Sequence, residues 1–331
     1  VSKNNSLNFI RLFAALLVFI AHGNIFYGNA VPSFLTVSYG ALGVAIFFII
    51  SGYLVSKSWD STPNAIIYLK KRSLRIFPAL FVCIVLTVFV LGPLVTTLTV
   101  WEYFTHHRTY EYFSNIALYI VYYLPGVFEN LRVPNAVNGS LWSLPVEFSM
   151  YLMVLFLGLV LRAHKHSYLL ALIILVVFEF LIKSTKSPII VYATDLRTVI
   201  HYGIFYFAGA IINKYELESF LIPRNTIICS LILLTTYYFG LPVLPFMWIC
   251  LPVIVLAVGL KTGGIIAKYT KNIDYSYGLY IYAFPIQQTV IYFFPKINFS
   301  YYFIFTLAIT LIFAILSWHI IEKPALQFKP K

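Results

Sequence analysis

Hydrophobic runs of roughly membrane-spanning length recur along the whole chain. They lie near residues 7–28, 40–57, 76–98, 141–161, 167–183, 199–213, 225–240, 243–260, 275–294 and 301–321. A transmembrane helix needs about 20 apolar residues. Several of these runs are short, and the seventh and eighth are split only by Gly240–Leu241–Pro242. The pattern predicts an all-α fold: a polytopic integral membrane protein built as a bundle of about ten transmembrane helices. No internal repeat, low-complexity linker or appended soluble domain interrupts it, so residues 1–331 are expected to form one domain.

Composition narrows the class. Hydrophobic residues make up 61% of the 331 and charged residues only 10%, too much apolar surface for a soluble domain of this length to hide. The net charge of +12 could suggest nucleic acid, but its distribution fits membrane topology instead. With ten spans, Arg108, Arg132, Lys183, Lys186, Arg197 and Lys296 fall on one side and the other 17 of 23 cations on the opposite side. Positive residues favour the cytoplasm, so both termini of this multi-pass membrane protein are expected there. The apolar run after Lys3 and Arg11 lacks a small-residue cleavage site and is expected to stay as a helix. Cys83, Cys229 and Cys250 lie in apolar runs and suggest neither a metal site nor a disulfide framework.

Ionisable groups inside the apolar runs are the candidates for chemistry, because they are costly there and usually face a protein interior or a water-filled cavity. Arg11 and His22 are eleven residues apart in the first run. That is about three helical turns, which puts them on one face about 16 Å apart. Glu147 follows the outer start of the fourth run by about six residues, and His22 precedes the outer end of the first by as many. This common depth predicts a His22–Glu147 pair, in which the carboxylate orients an imidazole base. Two alternatives stay open: a histidine hydrogen-bonded between helices, and a carboxylate capping its helix N-terminus.

Tyr68–Leu69–Lys70–Lys71–Arg72–Ser73–Leu74–Arg75 places four cations just before the third run. Arg72 and Arg75 share a helical face and suit bidentate phosphate binding, with Lys71 beside them. The alternative is an anchor that snorkels to lipid headgroups. Gly43 and Gly52 in the second run suggest close helix packing. Ser51 is a poor nucleophile candidate, since no base is visible near it in sequence. His106–His107 and His164/His166 fit solvated loops better than metal sites.

Together these segments resemble acyltransferase family 3, membrane proteins that O-acylate bacterial surface glycans. The resemblance rests on Arg11–x10–His22, on the Phe-Phe-x-x-Ser-Gly pattern ending at Gly52, and on Arg72–x-x–Arg75 followed by Ile76 and Pro78. It continues with Ser140–Leu141–Trp142–Ser143–Leu144–x-x–Glu147, Ser276–Tyr277–Gly278–Leu279–Tyr280 and Glu322–Lys323–Pro324. The six motifs run in order from residue 7 to 324. One departure stands out: Ala283 occupies a position where the family often has histidine, which leaves His22 as the intramembrane histidine candidate. The resemblance implies acyl transfer, with acetyl-CoA as donor and no metal, to a hydroxyl of O-antigen, capsule or exopolysaccharide. His22, Glu147 and Arg11 would be catalytic, and Arg72, Arg75 and Lys71 would hold the donor. A transporter of lipid-linked glycans is the alternative; internal symmetry or paired broken helices would favour it, and neither is visible. A third possibility, an inactive partner in a glycan-assembly complex, fits poorly with the retained Arg11, His22 and Glu147.

Overall fold

The computed structural model describes residues 5–182, 187–261, 263–270 and 272–330. Lys3, Lys183, Lys186, Lys271 and Lys331, which entered the charge count, lie outside these residues. Ten long helices follow the ten apolar runs. They are α1 (Leu7–Tyr27), α2 (Tyr39–Ser61), α3 (Ala65–Leu86), α4 (Ser143–Val160) and α5 (Lys165–Ile182), then α6 (Leu196–Lys214), α7 (Pro223–Tyr238), α8 (Val243–Lys261), α9 (Ser276–Phe293) and α10 (Phe299–Leu316). Wider π-type turns extend α3 to Val95 and α10 to Gln327. Among the described residues, seven of the ten are long and apolar enough to cross a membrane; α6, α7 and α9 are packed among them. The architecture is therefore all-α and polytopic, and seven of the expected ten spans meet the length and hydropathy a crossing needs. The β-structure consists of two-residue hairpins at Ser33–Ser38 and Ile190–Asp195.

Sequential helices alternate in direction, and the start of α1 and the segment after the α10 extension meet at one face of the bundle, where Asn8, Arg11 and Lys329 line one cavity. There the Ser6 amide donates to the Gly259 carbonyl at 2.7 Å. We call this the terminal face and its opposite the far face. The third helix starts earlier than hydropathy alone suggests. Asn64 caps it by accepting from the Ile67 amide at 3.0 Å, so the Lys70–Arg75 cluster lies within α3 and not before it.

Helix α2 packs between α1 and α6, and glycines set how closely. A Cβ at Gly43 would fall 2.4 Å from the Ala14 carbonyl oxygen of α1. One at Gly52 would fall 1.8 Å from the Tyr206 carbonyl oxygen of α6, and one at Gly209 would meet the Ile49 carbonyl oxygen at 2.2 Å. Backbone faces backbone on both sides of α2, as small residues permit in membrane bundles. Gly52→Ala should therefore push α2 off α6. We expect a loss of about 1–3 kcal/mol or more, read as a lower melting temperature of detergent-solubilised protein.

On the far face the long segment between α3 and α4 is packed against the bundle. Leu124, Val127, Phe128 and Val137 are fully buried, and the Thr97 amide donates to the Gly126 carbonyl at 2.9 Å. The segment then descends between helices. Asn138 Nδ2 donates to the Ile281 carbonyl of α9 at 2.8 Å, and Gly139 lies against the Phe284 ring. Helix α4 thus begins inside the bundle.

Candidate active site

Four elements bring charge to the terminal face. Arg11 comes from the second turn of α1 and Asp274 from the turn before α9. Arg72 and Arg75 share one side of α3, and Lys329 follows the α10 extension. They line a cavity of about 270 Å³ together with Ser51, Glu147 and Tyr151. Asp274 Oδ2 accepts from Arg11 at 2.9 Å and from Arg75 at 2.6 Å, and Arg75 lies 3.6 Å from Glu322. Two buried guanidinium groups therefore share one buried carboxylate, held from behind by the Ser276 hydroxyl at 2.5 Å.

Arg72 is held differently. Its guanidinium stacks 5.9 Å from the Tyr68 ring and 5.8 Å from the Tyr151 ring. Its one hydrogen bond to a side chain is a long 3.4 Å contact with Ser58, and its Nε has no partner among the described residues. Arg72 is thus positioned by ring faces while most of its donors stay uncommitted. Burial pushes the Lys329 ammonium down to about 8, and repulsion from Arg72, Arg75, Arg11 and Lys71 adds to the effect. Lys71 is half-buried and contributes to this field without lining the cavity.

Arg11 and Glu147 also line a narrower space of about 40 Å³ farther into the bundle, with Phe47, Phe48, Ser143, Tyr277 and Tyr280. These two residues form the doorway between the spaces. Glu147 Oε1 accepts from Ser51 at 2.8 Å and from Tyr151 at 2.5 Å. At the upper end the Tyr280 hydroxyl donates to the Ser140 carbonyl at 2.9 Å and lies 2.6 Å from Ser143 Oγ. One turn beyond Tyr280 on α9, the Phe284 ring packs edge-on against His22, with centroids 5.1 Å apart. Phe26 stacks near the same imidazole at 6.1 Å and packs edge-on against Phe284 at 4.6 Å. His22 Nδ1 is buried without a hydrogen-bond partner among the described residues.

The family profile described as an acyltransferase domain matches residues 4–319. The chain belongs to acyltransferase family 3. An O-acetyl transferase of Shigella phage Sf6 is 30% identical over 97% of this chain and 96% of its own length. Nodulation protein 10 of Rhizobium leguminosarum bv. viciae is 36% identical over 45% of this chain and 42% of its own. No solved structure matches the sequence. The protein is a membrane acyltransferase of the O-acetyltransferase class.

The geometry corrects one expectation about this acyltransferase: Glu147 does not pair with His22. Across the antiparallel α1–α2 contact, Gly40 meets Ala21 and Gly43 meets Ala14 and Val18. This register puts Ser51, and the Glu147 bonded to it, at the level of Arg11. Eleven residues of α1 then separate Glu147 from His22, about 16 Å along the axis. The common-depth estimate took the start of α4 as the membrane boundary. Instead Gly139 is level with Phe284 and His22, and Glu147 lies eight residues deeper. Nor does Glu147 cap its helix, since both its hydrogen bonds go to side chains. The expectation for Ser51 also changes, because a carboxylate remote in sequence is its partner.

Asp274, Tyr151 and Lys329 were absent from the sequence-based candidates. Asp274 had a signal: two arginines on terminal-face segments need a buried carboxylate, and it directly precedes the ninth apolar run. Tyr151 lies one turn beyond Glu147 and had no signal apart from that spacing.

Proposed function

We propose that this acyltransferase takes an acetyl group from cytoplasmic acetyl-CoA at the terminal face and delivers it to a hydroxyl of a bacterial surface polysaccharide. The carrying observation is the cationic terminal-face cavity, which leads through the Arg11–Glu147 doorway towards His22. The excess of cations on the terminal side supports a cytoplasmic orientation for that face. The acetyl transfer named for the phage relative supports the reaction class.

Arg72 and Lys329 would grip the donor phosphates, and Lys71 would strengthen the field that attracts them. Arg75, committed to Asp274 and Glu322, would hold the cavity wall and set its charge. The thioester arm would enter between Arg11 and Glu147. Phe284 closes the remaining distance to His22, so transfer requires that ring to swing aside. His22 would take the proton of the acceptor hydroxyl while its oxygen attacks the acetyl carbon. The carbon–sulfur bond breaks, and the proton passes on to the departing CoA thiolate. Transfer through an acetyl-imidazole would use the same nitrogen as nucleophile. Glu147, with Ser51 and Tyr151, would position the donor arm at the doorway.

Donor binding tests this assignment. Arg72→Ala should weaken acetyl-CoA affinity about tenfold, the scale of one charge-assisted hydrogen bond. Lys70→Ala should change it little. Lys329 is cationic below its lowered pKa of about 8 and neutral above it, so affinity should fall as pH rises from 7 to 9. In Lys329→Ala that fall should flatten. Calorimetric titration across the pH range checks both expectations; unchanged affinity in Arg72→Ala would remove the donor role from α3.

A further inference from the structure

A cavity of about 820 Å³ lies outside the site described above, at the far-face ends of α5, α6 and α8. Its chemistry is distinctive for a position near the membrane boundary. Glu179 of α5 lies 2.9 Å from His201 Nδ1 of α6, and Asp195 holds Arg197 at 2.6 Å. Asp195 and Arg197 offset each other, and the Glu179–His201 pair adds a carboxylate beside an imidazole, so the walls offer directional donors and acceptors. Trp248 of α8 lines it and is 92% buried, as its 8% exposure shows. Its indole N–H has no acceptor among the described residues, whereas buried tryptophan N–H groups usually have one. Tyr202, also buried, completes the wall.

The same Tyr202 joins this cavity to the transfer route. Its ring packs against Phe48 at 5.3 Å and against Trp142 at 5.4 Å. Phe48 lines the narrow space that holds Arg11 and Glu147. One layer of aromatic rings therefore separates the far-face cavity from the inner compartment.

We infer that this far-face cavity binds a neutral sugar unit of the acceptor glycan, with Trp248 and Tyr202 as ring platforms and the Glu179–His201 pair as hydroxyl-binding groups. The assignment rests on the acyltransferase reading for its direction of transfer and adds the acceptor's place and chemical class. Aromatic surface with a few convergent polar groups is the usual composition of a ligand pocket. An anionic sugar or a phosphate would need an uncommitted cation, and among the described residues the cation lining this cavity, Arg197, is held by Asp195.

Tritiated octyl glycosides of neutral hexoses and 6-deoxyhexoses are suitable probes, because the alkyl tail stands in for a lipid carrier. Equilibrium binding to the purified full chain should be saturable for at least one glycoside and should persist with excess CoA present. Trp248→Phe deletes only the N–H and part of the ring. We expect it to weaken that binding about fivefold, as loss of one neutral hydrogen bond does. His201→Gln provides a second, independent variant with the same expected direction. Absence of saturable binding across the panel, equal affinity in wild type and both variants, or displacement by CoA would each overturn the assignment. Acetyl transfer from labelled acetyl-CoA to the bound glycoside is read separately. Its failure alongside intact, variant-sensitive binding would count against the acyltransferase reading and leave the sugar site standing.

Discussion

His22→Ala should eliminate acyl transfer, with a fall in kcat of at least about 100-fold, the lower end of what a positioned acid–base group contributes. Three observations place the effect on chemistry and not on folding. The imidazole has ring neighbours at Phe26 and Phe284 but no hydrogen bond at Nδ1 among the described residues, so its removal breaks no hydrogen bond at that nitrogen. It sits inside α1, where alanine is a good helix former. The packing of α1 on α2 runs through Ala14, Val18 and Ala21, on residues other than His22. The variant should therefore reach the membrane in normal amounts and bind acetyl-CoA with wild-type affinity. Single-turnover assays with purified protein check the rate, and titration checks the donor. Transfer within a few-fold of wild type would assign the chemistry to another group, with the Ser51–Glu147 pair the next to test.

Asp274→Ala should cost the most stability of any single substitution at the terminal face. The carboxylate is 6% exposed and anchors Arg11 and Arg75, which are 21% and 13% exposed. Removing it leaves two guanidinium groups in a buried site without their shared counter-charge. Breaking a buried pair by deleting one partner typically costs about 3–5 kcal/mol. The expected result is a large drop in melting temperature and in recoverable folded protein. A second change that removes one of the exposed charges, Asp274→Ala with Arg75→Met, should recover part of the loss, because fewer unpaired charges remain buried. Failure of the double variant to recover any stability would show that Arg75 is solvated and that its link to Asp274 contributes little. Arg72→Ala should be mild by comparison, since Arg72 is held by ring faces.

The helices were legible because apolar runs of spanning length carry a strong signal, and boundaries agree to within a few residues in most cases. The third helix was the exception. Its first three turns are amphipathic and basic, so hydropathy placed the start at residue 76 while Asn64 caps it eleven residues earlier. The glycines at 43 and 52 were legible as packing residues, and the structure gives them backbone neighbours on both sides of α2. Arg11, Arg72, Arg75 and Glu147 were each recognisable as costly residues in or beside apolar runs, and all four line one cavity. Their partners were less so. Counting residues from a presumed membrane boundary assigns depth only if helices start at that boundary. Helix α4 starts inside, below a buried segment held by Asn138, so its Glu147 moved away from His22 and towards Arg11. The Ser51–Glu147 contact joins residues 96 apart, and the Arg75–Asp274 contact joins residues 199 apart. Such pairings follow from which helices adjoin, and hydropathy carries no information about that.

The central claim is that donor and acceptor approach from opposite faces and that His22 mediates transfer between them. Proteoliposomes containing the enzyme in one orientation test it most directly. Labelled acetyl-CoA is supplied at the terminal face and an octyl glycoside or de-O-acetylated polysaccharide at the far face, and acetylated product is measured by mass spectrometry. The account predicts product with wild type, none with His22→Ala, and none when acetyl-CoA is supplied only at the far face. Product formed from far-face acetyl-CoA alone, or formed at wild-type rate by His22→Ala, would contradict it.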